Sequence, residues 1–401
     1  KANNKKNTVE KVTVVELKDK EYSTFSLIKK KSRTNTIGKF SAFNFDRLNR
    51  INRSYKGNRY KPGVSVKAEN DFIPLNYGKN RLPHTTSTVK SNSRPKISNE
   101  KHSITSSKPY IAVGKIYSVT NNIGTECTGT LIGKAVVVTS AECIAEWGGS
   151  VADQVWFTPA ATNSFGEGFG GPIGMWQAKK LYIPACFTAG NCSYSEEDGI
   201  KDNNIALFTL RRKGGRKPFD MGGTYLNYGW NNPGFVKYIL MYSGLNKVAQ
   251  ITTLGYPTNL GDKSRNSGGA MIKTDSVAVS YVIEEENDLP LYLWGSGQPQ
   301  ATGSPVIINF GFKPFYSSSA YEGDYKTPNV ITGIQFDVGD IPQIHAGLGN
   351  VFGQNISYPK KKYKDNSGRN WGAGNIGFLM RKVCGKGFGN NGQAKGICLR
   401  R

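Results

Sequence analysis

The chain has 401 residues, enough for one large domain or two smaller ones. With 37% hydrophobic residues, 47 Gly, 20 Tyr and 19 Phe, it suits strands and loops and argues against a helix bundle. No apolar run approaches the roughly 20 residues of a membrane-spanning helix, and the net charge of +24 points to partners with acidic surfaces.

About two thirds of that charge falls in residues 1–107, the asymmetry expected of a basic tail. The segment begins at Lys1 with no Met, which fits a processed mature form. Val9 to Leu17 alternates well enough for one strand at an edge, but Phe25, Leu27, Ile28, Phe40, Phe43 and Phe45 follow neither a helical nor a strand period. Residues 1–107 are therefore expected to form a basic, low-complexity arm that wraps a partner; a solvated linker or pro-segment is the plainer alternative. Lys29, Lys30, Lys31 and Arg33, with Lys360, Lys361, Lys362 and Lys364 further on, are the candidate polyanion contacts. Few aromatics stand where bases would stack, so specific nucleic-acid recognition is not expected.

Residues 108–380 have a different character. Short β-rich runs at Ile111–Val119, Thr128–Val138, Val155–Phe157, Ile205–Leu210, Val236–Tyr242, Ala249–Leu254, Ser276–Ile283, Ser304–Asn309 and Val330–Phe336 are separated by Gly, Pro and Asn. This spacing predicts an all-β sandwich or barrel, and no comparable helical run stands out. Residues 381–401 read as a Cys-containing extension.

Six cysteines fall into three local pairs, Cys127 with Cys143, Cys186 with Cys192 and Cys384 with Cys398. Short-loop disulfides in an oxidising compartment are expected in preference to free thiols. There is no Cys-x-x-Cys spacing and only three histidines (His84, His102, His345), so no metal or other cofactor is expected. Asn52, Asn191 and Asn355 open short glycosylation sequons. Gly295-Ser-Gly297 lacks the Lys-Ser/Thr of a phosphate loop, and the aromatic stretches Phe165–Gly174 and Tyr225–Trp230 read as packing before binding.

An ordered series of motifs resembles the trypsin-like serine proteases, in the branch around the glutamyl endopeptidases. It runs through Thr128-Gly-Thr-Leu-Ile-Gly-Lys-Ala-Val-Val-Val-Thr-Ser-Ala-Glu-Cys143, Phe157-Thr-Pro159 with Gly171–Ala178, Asn203-Asn-Ile-Ala-Leu-Phe-Thr-Leu210, Leu254-Gly-Tyr-Pro257 with Met271, Gln300-Ala-Thr-Gly-Ser-Pro-Val306, and Ile331-Thr-Gly-Ile-Gln335. The resemblance covers roughly Pro109 to Phe378 and implies two packed six-stranded antiparallel barrels with a cleft between them. It also makes Cys127–Cys143 the disulfide beside the family's histidine position. The arm and the segment beyond Gly377 lie outside it.

In that family an imidazole base, a carboxylate that orients it and a hydroxyl nucleophile cooperate, with backbone donors for the oxyanion. The matched positions hold Glu142, Asn204 and Thr302, and Gln300 replaces the oxyanion glycine. A carboxylate cannot relay a proton at neutral pH as an imidazole does. The resemblance therefore implies a non-catalytic pseudoprotease, serving as a structural or binding subunit of an extracellular or lumenal assembly. A polyanion-binding module is the second expectation. A hydrolase rebuilt around Thr302, with Asp202 or His345 as helpers, is the third.

Overall fold

The computed structural model describes residues 12–19, 29–30, 84–89, 108–161, 171–191, 203–228, 248–257, 271–281, 291–296, 301–311, 328–336, 349–355, 363–364, 370–371, 375–385 and 398. Its strands, in chain order, are β1 (Val12–Glu16), β2 (Lys29–Lys30), β3 (His84–Thr88), β4 (Val113–Thr120), β5 (Ile123–Leu131), β6 (Val136–Thr139), β7 (Gln154–Pro159), β8 (Trp176–Pro184), β9 (Ala206–Leu210), β10 (Asn227–Tyr228), β11 (Val248–Gly255), β12 (Ile272–Tyr281), β13 (Leu291–Ser296), β14 (Pro305–Ile308), β15 (Val330–Gln335), β16 (Gly349–Asn355), β17 (Tyr363–Lys364) and β18 (Asn370–Trp371). Two α-helices are described, α1 (Ala185–Ala189) and α2 (Asn375–Cys384).

Six antiparallel strands close the first barrel in the order β8-β7-β4-β5-β6-β9, with β9 returning to β8. A second ring, β11-β12-β13-β16-β15-β14, closes through the β11–β14 pairing. This is the all-β trypsin-like double barrel. The short apolar runs of β6, β14 and β15 are buried at every position. An antiparallel strand with one wet face would alternate instead, so continuous burial marks strands covered on both faces.

The barrels touch directly. Thr128 N donates to Thr302 O at 2.8 Å, and Tyr256 N donates to Thr128 Oγ1 at 2.9 Å. Gly303 fits this seam with φ of +85°, where a β-carbon would run into the Thr128 carbonyl and the Thr139 hydroxyl. Only glycine takes that backbone conformation at little cost.

The arm is partly built into the barrels. β1 pairs antiparallel with β8, from Val12 opposite Pro184 to Glu16 opposite Lys180, and β3 pairs antiparallel with β12. β2 adds a short parallel pairing with β5. Leu17 is buried, and Val12 and Val15 pack against the main core, so the part of the expected 9–17 run that is described, from Val12 on, is an edge strand; residues 9–11 lie outside the described residues.

Several expectations need revision. The run Thr128–Val138 is two strands, β5 and β6, turned at residues 132–135 where Ile132 N donates to Val136 O. β8 was not expected, because a bulge between Ala178 and Lys180 breaks the period-2 pattern. α2 was not expected either, although Ile376, Leu379, Met380 and Val383 follow the i, i+3, i+4, i+7 spacing and all four are buried. It ends at Gly385, whose φ is +82°. Val236–Tyr242 lies outside the described residues.

Two disulfides are described, Cys127–Cys143 and Cys384–Cys398. Cys186 is also disulfide-bonded, while Cys192 lies outside the described residues. Among the described residues no cysteine is free, and no helix is long and apolar enough to cross a membrane.

Candidate functional site

The site grows from the end of β6. After Thr139 the chain leaves the barrel through Ser140 and makes one 3-10 turn, Ala141–Cys143, which the Cys127 disulfide pins to β5. Asn204 stands just before β9, the neighbour of β6 across the barrel. These two strand ends bring Ser140, Glu142 and Asn204 together.

Glu142 N donates to Asn204 Oδ1 at 3.0 Å, which fixes that atom as the amide oxygen. Ser140 Oγ lies 2.6 Å from the same oxygen and 3.0 Å from Glu142 Oε1, so one hydroxyl proton faces two acceptors. Ser140 and Asn204 are fully buried, whereas Glu142 is half-buried and reaches solvent. Among the described residues Asn204 Nδ2 has no hydrogen-bond partner.

Thr302 belongs to a tight turn of the second barrel. Ser304 N and Ser304 Oγ both reach back to Ala301 O, at 3.1 and 2.6 Å, and Gly303 supplies the left-handed residue. Thr302 is buried; its carbonyl receives Thr128 N and lies 3.8 Å from Cys143 Sγ. That sulfur is in a disulfide and has no proton, so this is a van der Waals contact that sets the Thr302 turn beside the Glu142 turn. Glu142, Asn204 and Thr302, distant in sequence, thus gather at the seam of the two barrels.

The arrangement offers a half-exposed carboxylate, an amide and two buried hydroxyls, Ser140 and Thr302. Ser140 was not among the expected site residues. Its signal was its place two residues before Glu142 in Thr139-Ser-Ala-Glu142, but no matched position of the family drew attention to it. Gln300, Asp202 and His345 lie outside the described residues. So do Lys31, Arg33, Lys360, Lys361 and Lys362, while Lys29 and Lys30 form β2 and Lys364 ends β17. Among the described residues no group of three or more His, Cys, Asp or Glu is placed to hold a metal.

Lys213 and Asp220 are electrostatically perturbed away from this seam. Burial holds the Lys213 ammonium below its ordinary value, and its Nζ stands 5.1 Å from the Trp176 ring centroid. Asp220 is held below its ordinary value chiefly by the Lys217 backbone N–H, which it accepts at 2.9 Å. Both are turn-stabilising contacts.

No protein-family model and no curated protein matches the sequence. Among solved structures the chain is similar to the protease Anisep from Arthrobacter nicotinovorans, at 18% identity over 61% of this chain and 90% of that one, with a TM-score of 0.40. It is likewise similar to the thermostable serine protease AL20 from an extremophilic microorganism, at 15% identity over 62% and 92% with a TM-score of 0.42. A Glu endopeptidase in complex with MPD gives 16% identity over 70% and 93%, with a TM-score of 0.39. The fold is trypsin-like; the likeness goes no further than the fold.

One expectation is corrected here. The chain was read as no enzyme because three matched positions are replaced, yet its structural neighbours are named as proteases. Replacement at matched positions does not by itself establish inactivity. The sequence comparison counted only those positions, whereas folding also draws the Ser140 hydroxyl into contact with Glu142 and Asn204.

Proposed function

We propose that this chain is a binding subunit of an extracellular or lumenal protein assembly, with the trypsin-like double barrel as its scaffold. The observation that carries the reading is the docking of β1 and β3 from the basic arm, one on each barrel. A strand held on each barrel ties the arm to the molecule at both places, and the residues between them are the segment offered to a partner. The disulfides support an oxidising compartment, and secretion is the natural route there. The test is the native mass of the full chain and of what it captures from its own extracellular milieu. A mass above 43.9 kDa, with the arm resistant to limited proteolysis, is expected. A monodisperse monomer that loses residues 1–107 rapidly to protease overturns the reading.

Hydrolysis is a second reading, favoured by the hydroxyl–carboxylate contact of Ser140 with Glu142. It is tested with a broad peptide library and a fluorophosphonate probe. Turnover or labelling abolished by Thr302→Ala or Glu142→Gln would support it, and an unlabelled, inert wild-type chain would exclude it.

A further inference from the structure

The edge of β8 that receives β1 has the features of a built strand-accepting slot. Its floor is the backbone of Lys180–Pro184, which pairs in register with Glu16–Val12. One end is closed by α1, where Thr188 Oγ1 lies 2.9 Å from Thr13 Oγ1. At the other end Leu17 N donates to Lys179 O at 2.9 Å, Arg211 Nη2 donates to Leu17 O, and Gln177 Nε2 donates to Lys18 O at 3.4 Å. Charge complements the register, with Glu16 Oε2 at 3.3 Å from Lys180 Nζ. Val15 and Leu17 face the core, with Val12 packed against it at the start of the strand, while Val14 stays exposed, so the slot reads a defined apolar pattern as well as backbone.

A second feature concerns where the slot's parts come from. α2 packs against β8, β9 and β1. β1 belongs wholly to the arm, whereas α2 follows the last barrel strands and buries Ile376, Leu379, Met380 and Val383 in the main core. Every copy therefore carries both a donor strand and a slot.

We propose that this slot also takes Val12–Leu17 from a second copy of the chain, so that copies are joined by exchanged arms. The proposal rests on the binding-subunit reading and names the partner. Exchange in trans reuses every bond made in cis, so it needs no new contact and little net cost. β2 stays paired with β5 of its own barrel, so residues 18–28 are the tether, and at up to about 3.3 Å per residue they reach about 36 Å. Crowding copies into an assembly raises the local slot concentration and favours the crossed arrangement.

The experiment uses two full-length chains with different affinity tags, one carrying Thr13→Cys and the other Thr188→Cys. They are co-expressed with the native disulfides formed, oxidised, and resolved on a non-reducing gel. A single chain bearing both substitutions is the control for register, since it must cross-link whether the strand is held in cis or in trans. The expected result is a crossed dimer carrying both tags, absent when Leu17→Asp is added to the donor chain. If the control cross-links only within one chain and the mixed pair yields no crossed product, the exchange proposal is overturned. Should native mass still exceed the monomer in that case, the binding-subunit reading survives without it; a monomer throughout removes both. Failure of the control to cross-link at all overturns the slot itself.

Discussion

Tyr182 lies on β8 opposite Val14, where burial first and the nearby Glu16 carboxylate second raise its phenol above the ordinary value near 10. A raised folded value means the native state keeps this proton while the unfolded chain loses it. The stability it supplies is complete below the unfolded value and is lost as pH climbs through the higher folded one. Glu16→Gln is expected to move the Tyr182 titration back toward 10, read as a difference in ultraviolet absorbance against the same pair carrying Tyr182→Phe. An unchanged titration would mean that burial alone sets the shift. Because Glu16 sits on β1, the same measurement reports whether the arm strand is in place. Glu142, Asn204 and Thr302 were named as candidates from an ordered series of motifs in the sequence. Their contacts were not legible there, because the link to Ser140 depends on how β6 and β9 end side by side.

Among the strands, β4 and β5 carry the least expected interaction. Lys115 Nζ meets Glu126 Oε2 at 3.1 Å with both side chains essentially sealed from solvent. The register sets Lys115 opposite Thr128 and Glu126 opposite Tyr117, so the two charges are diagonal neighbours on one face of the sheet. Removing one partner strands a buried charge, whereas removing both leaves an apolar contact. Glu126→Gln is expected to cost about 3–5 kcal/mol in denaturant unfolding, and Lys115→Met with Glu126→Leu to recover most of it. If the double variant is as unstable as the single one, the pair is required by the fold and is not merely tolerated. At this scale the sequence was informative wherever a short β-rich run was bounded by turn residues, as in β4, β9 and β15. It failed where the pattern was interrupted, at the β8 bulge, or where two strands join through a four-residue turn with no change of composition, as in β5 and β6. α2 failed for another reason: its apolar spacing is complete over only two turns, and strands on every side made it easy to pass over.

For the molecule as a whole, the seam around Gly303 decides whether two barrels behave as one body. The turn carrying Thr302 belongs to the second barrel, yet it is fitted against Thr128 and Thr139 of the first. Gly303→Ala adds a left-handed strain of about 1–2 kcal/mol and a collision with backbone that cannot swing aside. It is expected to lower stability by more than about 2 kcal/mol and to loosen the Glu142 turn, which lies against the same segment. Calorimetry and protease susceptibility check the two effects together, and a variant as stable as the parent would show that the seam is plastic. The double barrel itself was legible from strand spacing and motif order. What the arm does with those barrels was not, because a five-residue edge strand inside a basic segment gives no sign of which distant edge it will meet.

The contact between β1 and α2 joins two segments that lie far apart along the chain. At ribosomal speeds of about 5–20 residues per second, Val12–Leu17 emerges on the order of tens of seconds before the helix that flanks its slot. Until β8 follows, this short β-branched strand stands without its native pairing partner and is open to mispairing. Lys11, Lys18 and Lys20 bracket it closely, and charges at strand ends resist indiscriminate pairing. The charges of both signs that flank the strand, Glu10 and Lys11 before it and Lys18, Asp19 and Lys20 after it, therefore guard the nascent chain before the finished protein has any partner to bind.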